Sequence, residues 1–260
     1  MNRRSTGFTR IAMASALVTA LAAAPALAVD GVLEINQACV AAGCFPGDGP
    51  GFPVEITIPG SYRLTSNLTV PDDDTTAILL QGVRLVNLDL NGFSIRGQHA
   101  CGIGLPPNCP GGPARGIDVA VQGAVHIRVR NGGISNFGGG GIRLTDGSVI
   151  EELIVTSTGG DGIVAGGFSI VRDNVVTLHL GDGIHTAPSS GSLITGNVVR
   201  GVDGDGIEGG NDMLLNNRII AAGEEDARLG NNAGYGHNTF EQAPLGGHSM
   251  GDNVCVGGLC

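Results

Sequence analysis

Apolar positions in this chain fall into short β-branched runs, among them Val125 to Val129, Ile150 to Val155, Ser169 to Val176 and Leu193 to Val199. Glycine, asparagine and aspartate separate the runs every few residues, and no helical period persists beyond a turn or two. The pattern itself recurs. Gly-Ile stands at Gly116-Ile117, Gly141-Ile142, Gly162-Ile163, Gly183-Ile184 and Gly206-Ile207, with isoleucine spacings of 25, 21, 21 and 23. A unit of this length holding three short runs fits one coil of a parallel β-helix, whereas ankyrin and tetratricopeptide units need about 33–34 residues and amphipathic helices. A leucine-rich repeat needs consensus leucines and an asparagine that are missing here. The prediction is all-β: a single-stranded, right-handed parallel β-helix of about six to seven coils. Its anchors Ile117, Ile142, Ile163, Ile184 and Ile207 should stack into one interior column, roughly 4.8 Å apart.

The ends of the chain read differently. Residues 1–28 have the marks of a signal peptide: Arg3, Arg4 and Arg10, then an apolar stretch of fourteen residues from Ile11 to Ala24, broken only by Ser15 and Thr19, then the small-x-small site Ala26-Leu27-Ala28. Fourteen fall short of the ~20 that span a bilayer, and Arg3-Arg4 lacks the downstream residues of a full twin-arginine signal. The expectation is an exported protein, periplasmic or extracellular, with no membrane insertion after cleavage. Residues 29–75 are then an N-terminal cap and first strands, 76–238 the coils, and 239–260 a C-terminal cap. A solenoid exposes two sheet ends that must be covered. Glu34 to Ala42 is a helix-compatible stretch suited to the first, and a segment bracketed by Cys255 and Cys260 to the second. A Gly- and Pro-rich insertion, 98–113, interrupts the stack.

The six cysteines form close pairs, Cys39/Cys44, Cys101/Cys109 and Cys255/Cys260. Fifteen pairings are formally open; proximity and an oxidising compartment favour the three local disulfides. Every basic residue is arginine, and tryptophan is absent. Three of the fourteen arginines and none of the acids fall in 1–28, leaving eleven against twenty-four acids, a net −13. Such a chain repels nucleic acid and anionic surfaces.

Acids recur with the repeat. Gly-Asp-Gly-Ile places Asp161, Asp182 and Asp205 two residues before their anchors, and Asp226, 21 residues after Asp205, is expected to extend the column. Carboxylates about 5 Å apart repel by about 1 kcal/mol in water and more at a protein surface. Either each caps its own turn by accepting backbone N–H groups, or a cation offsets them. For the second, Asp203, Asp205 and Glu208 give the densest oxygen spacing for Ca²⁺; otherwise no cofactor is expected. Asn174, Asn197 and Asn217 recur at 23 and 20 and are expected as a structural ladder in a tight turn. The residue after each anchor points outward, a column reading Asp118, Arg143, Val164, His185, Glu208. His185 beside Glu208, with Asp182 and Asp205 near, is the candidate for acid–base chemistry, and Arg143 for ligand binding. The other histidines, His99, His126, His179, His237 and His248, lack ligand spacing.

The repeat resembles that of the pectin-lyase-like superfamily. More closely, the chain is similar to secreted bacterial right-handed parallel β-helix repeat proteins, through EINQACVAAGCFPGDGPGFPVEITIPGSYRLTSNLTVPDDDTTAI, VNLDLNGFSI, GYGHNTFEQ and GDNVC. That resemblance implies the fold and no activity. The Asn-Thr-Asp, Gly-His-Gly and Arg-Ile-Lys motifs of polygalacturonases and the Asp-Pro-His-Asp of mannuronan epimerases are absent, and a lysine base is excluded. The expectation is therefore a non-catalytic module binding polysaccharide or an envelope surface. The alternatives are a polysaccharide lyase, hydrolase or epimerase working from His185, or a structural or adhesion module.

Overall fold

The computed structural model describes residues 31–100, 111–120, 125–188, 191–256 and 258–259. The segment 1–28, read from the sequence as a signal peptide, Cys101, Cys109 with most of the insertion, and Cys260 lie outside them. Each full coil lays down three strands. The first joins a narrow eight-stranded sheet: Val54–Ile56, Ile78–Leu80, Arg115–Val119, Gly140–Arg143, Ile163–Ala165, Ile184–Thr186, Ile207–Gly209 and Ala227–Leu229. All its pairings are parallel. The other two join an eighteen-stranded sheet that bends into two faces. Val125–Phe137 and Val149–Thr158 run through the bend; above them it separates pairs such as Ile170–Arg172 and Val175–His179.

Ile117, Ile142, Ile163, Ile184 and Ile207 are all 0% exposed, as are Ile78 below them and Ala227 above, and they pair in register from tier to tier. Among the described residues the narrow sheet therefore has eight tiers. Val54–Ile56, Ile78–Leu80 and Ala227–Leu229 are tiers without Gly-Ile, so the repeat under-reports the stack. The glycine before each anchor has a steric cause. A Cβ on Gly141, Gly162, Gly183 or Gly206 would lie 2.2–2.6 Å from a methyl of Val155, Val176, Val199 or Ile219 on the opposite face. Only glycine lets the two faces close at that corner.

The bend is held by an asparagine ladder of five: Asn174, Asn197, Asn217, Asn238 and Asn253, all buried. Each Oδ1 accepts from the tier below; the Asn197 oxygen takes the Asn174 amide and Nδ2, both at 3.0 Å, and Asn217 repeats this with Asn197. Each Nδ2 also donates to a carbonyl, Ile150, Val171, Ile194, Leu214 and Tyr235 in turn. The left-handed residue of the turn is the one before the asparagine: Asp173, Gly196, Asn216, His237 or Asp252. The ladder asparagines thus bond internally in the core rather than supplying the αL geometry.

Parallel strand pairing extends into both end segments. Glu34 and Ile35 belong to the strand Val32–Ile35, which pairs with Gly60–Leu64, because its alternation buries Ile35. The helix is confined to Gln37–Val40, N-capped by Asn36 and tied down by the Cys39–Cys44 disulfide. Asp48 covers the first edge of the narrow sheet, its two oxygens accepting the Cys44 and Glu55 amides at 2.8 and 2.9 Å. At the other end, tiers continue past 238 through Thr239–Phe240 and Val254–Cys255, after which Gly258–Leu259 turns back antiparallel. Cys255 is disulfide-bonded. Among the described residues, no helix is long and apolar enough to cross a membrane.

Candidate functional site

The outer face of the narrow sheet carries the chemistry. His185 has Val164 and Glu208 as its strand partners, and Arg228 lies beyond Glu208. Its Nδ1 lies 2.8 Å from Glu208 Oε2 and 3.3 Å from Asp182 Oδ2, and one ligand atom from each of the three falls within 4.8 Å of the others. The imidazole is one-third exposed. Burial opposes ionisation of Asp182, but hydrogen bonds from His185, the Asp205 amide and Glu208 carry its pKa below the ordinary value. For Glu208, burial and the hydrogen bond with Asp182 act together and raise it. The hydrogen bond with Asp182 raises His185, against burial. One carboxylate is thus held charged and the other pushed towards its acid form, with an imidazole between them.

The acid column is built across tiers. Asp161 Oδ1 accepts the Asp182 amide at 3.0 Å, Asp182 Oδ1 the Asp205 amide at 2.8 Å, and Asp205 Oδ1 the Glu225 amide at 2.9 Å. Each acid therefore caps the next coil's turn, not its own. Asp226 is not the fourth member. Ile207 pairs with Ala227, a step of 20, so Glu225 takes the column position and Asp226 falls one place on, in the glycine column. A slip of one residue moves a side chain to the other face. Asp226 is 0% exposed and accepts the Glu241 and Gln242 amides on Oδ2. Burial raises its pKa.

The Ca²⁺ trio does not assemble. The Arg228 guanidinium lies on Asp205, with Nε to Oδ2 at 2.6 Å and Nη2 to Oδ1 at 3.3 Å, so a cation already sits on that carboxylate. Asp203 is exposed, and Glu208 turns to His185 and Asp182 instead. Arg143, the candidate ligand-binding residue, is clamped on Asp118 by two hydrogen bonds of 2.6 and 2.8 Å.

A second feature lies on another face, where Ser94, Gly133 and Ile154 are strand partners. Gly133 leaves the outward position between Ser94 and Ile154 without a side chain. The result is an open groove of about 360 Å³, lined by Ser94, Asn131, Ser135, Glu152, Ile154 and Thr156 around the Gly132–Gly133 step.

Residues 115–254 match the family described as the right handed beta helix region. The chain belongs to the right-handed β-helix family. Solved structures of similar fold include a double mutant of the periplasmic alginate epimerase AlgG, at 17% identity and a TM-score of 0.44, covering 85% of this chain and 61% of that one. Another is the A-module of the Azotobacter vinelandii mannuronan C-5 epimerase AlgE4, at 14% identity and a TM-score of 0.40, covering 80% of this chain and 74% of that one. This β-helix thus spans about six-tenths of the length of the first. Among curated proteins, none matches it in sequence.

Two buried side-chain clusters in this β-helix escaped the sequence, as did the groove. Glu151 is buried between Arg128 and Arg172, whose Nε atoms donate at 2.6 and 2.7 Å. Burial opposes its charge, but these bonds hold its pKa low. The step of 21 from Glu151 to Arg172 equals one coil, a signal that could have found the pair. His179 is wholly buried beside Thr158, again 21 residues away. The groove had no signal, because it is made by an absent side chain.

Proposed function

We propose that this protein is an exported, non-catalytic β-helix that holds a neutral polysaccharide chain in the groove beside Gly133. The observation that carries this reading is the groove's chemistry. Hydroxyls of Ser94, Ser135 and Thr156, the Asn131 amide and the Glu152 carboxylate surround the aliphatic Ile154. That mixture of donors, acceptors and one apolar surface suits a ring bearing hydroxyl groups, and the volume lies in the range of ligand pockets. The acidic net charge argues against a polyanionic glycan. On the narrow sheet, Arg143 and Arg228 are already neutralised by Asp118 and Asp205, so neither is free to clamp a uronate.

Affinity electrophoresis through gels containing single neutral polysaccharides tests the reading. Gly133→Val fills the groove with a branched side chain like those at Ile154 and Val175, and a Cβ there meets Ser94 Oγ at 3.0 Å, which rotation relieves. Retardation of the wild type and its loss in Gly133→Val is the expected result. Equal retardation of both, or retardation only by polyanions, refutes it.

One observation favours a second reading, acid–base chemistry on a polysaccharide from His185. The opposite pKa displacements of Asp182 and Glu208 are the arrangement that separates a base from an acid. Release of unsaturated, ultraviolet-absorbing products from a polyuronate, lost in His185→Ala, would establish it.

A further inference from the structure

Glu208 and Asp182 face a single imidazole, and the cation nearest in the stack does not come to them. Arg228 is the strand partner of Glu208, yet its guanidinium is committed to Asp205 and Glu224. Two carboxylates and one imidazole therefore share a small patch. The donor atoms are already convergent: Nδ1 to Oε2 at 2.8 Å, Nδ1 to Oδ2 at 3.3 Å, and all three within 4.8 Å. Around a tetrahedral zinc ion with bonds of about 2.0–2.1 Å, ligand atoms stand about 3.4 Å apart. Nδ1 and Oδ2 already stand near that spacing, and Nδ1 and Oε2 need to part by about half an ångström to reach it.

We propose that Asp182, His185 and Glu208 form a binding site for a divalent transition-metal ion of the zinc type. Imidazole nitrogen selects this class over the hard ions Ca²⁺ and Mg²⁺, which take oxygen ligands in larger number. His185 and Glu208 are held on adjacent strands of a rigid sheet, and Asp182 is pinned through Oδ1 by the Asp205 amide, leaving Oδ2 directed at the imidazole. Two tiers thus preposition three ligands, and the outer side of the patch faces solvent, where a water or a ligand atom completes the coordination. Binding requires a neutral imidazole, so affinity falls as the pH drops through the His185 titration. The proposal is independent of the polysaccharide groove, which lies on another face.

Equilibrium dialysis of chelator-stripped protein against Zn²⁺, in excess Ca²⁺ and Mg²⁺, tests it, with bound metal counted per chain. One zinc ion per wild-type chain is expected, with binding weakened by about 100-fold or more in both His185→Ala and Glu208→Gln. Asp203→Asn, outside the cluster, should bind as the wild type does. Zn²⁺ should also raise the wild-type Tm with concentration and leave that of His185→Ala unmoved. Because His185 and Glu208 are surface residues, both variants should keep the wild-type circular dichroism spectrum. No uptake at one equivalent, uptake unchanged in His185→Ala, or displacement of Zn²⁺ by Ca²⁺ would each overturn the proposal.

Discussion

His179 offers the sharpest test of how the core is built. It is wholly buried, its Nδ1 lying 2.6 Å from Thr158 Oγ1 and its Nε2 3.2 Å from the Val155 carbonyl. Burial pushes its pKa down to about 3 from 6.5. The unfolded chain therefore binds a proton between those values that the folded chain refuses. Stability is complete above the unfolded pKa and falls as the pH drops towards the folded one. At pH 5 the two values give a loss of about 2 kcal/mol from this residue alone, and at pH 4 about 3 kcal/mol. Other groups titrate over the same range, so the quantity to measure is the difference between the wild type and His179→Val. Valine is what the next tier places in that column, at Val202, and Thr158 keeps its hydrogen bond to the Gly160 carbonyl. His179→Val should cost stability at pH 7 and most of that deficit should vanish by pH 5. With a urea m-value of about 2 kcal/mol/M, the gap between midpoints should close by about 1 M. Parallel stability–pH curves for the two proteins would refute the reasoning, since they would mean that the imidazole titrates alike folded and unfolded.

Other outcomes follow from the same geometry. Asn197→Ala strands the Asn174 amide and side chain and the Val171 carbonyl in the core, and should cost about 3 kcal/mol or more by urea melts, whereas Asn253→Ala at the end of the ladder should cost less. Gly183→Ala puts a Cβ 2.3 Å from Val199 Cγ1 and 2.6 Å from the Gly206 carbonyl, so soluble yield should collapse, and adding Val199→Ala should not restore it because the carbonyl remains. Glu151→Gln should cost about 1–2 kcal/mol at pH 7. Because the Glu151 pKa is lowered by its arginines, that stability is present above the ordinary glutamate value and lost as the pH falls below it, so the cost should shrink in acid.

The repeat made the fold legible before any coordinates. A coil of a parallel β-helix imposes its length on the sequence, and the crowded corner at Gly141, Gly162, Gly183 and Gly206 leaves a residue type that nothing else can replace. The outward column of Arg143, Val164, His185 and Glu208 was equally readable, since side chains alternate along a strand. What spacing could not supply was register where the spacing changes. The step of 20 from Ile207 to Ala227 exchanged Glu225 for Asp226, and a step of 15 hid Asn253 from the ladder. Nor could it say which neighbour a long side chain chooses. Arg228 had both Glu208 and Asp205 in reach, and its turn to Asp205 emptied the expected Ca²⁺ trio while leaving His185 between Asp182 and Glu208. Strand period and steric exclusion act along the chain and are written in it. Partner choice among charges a few ångströms apart depends on the three-dimensional arrangement of tiers, and only the tertiary structure decides it.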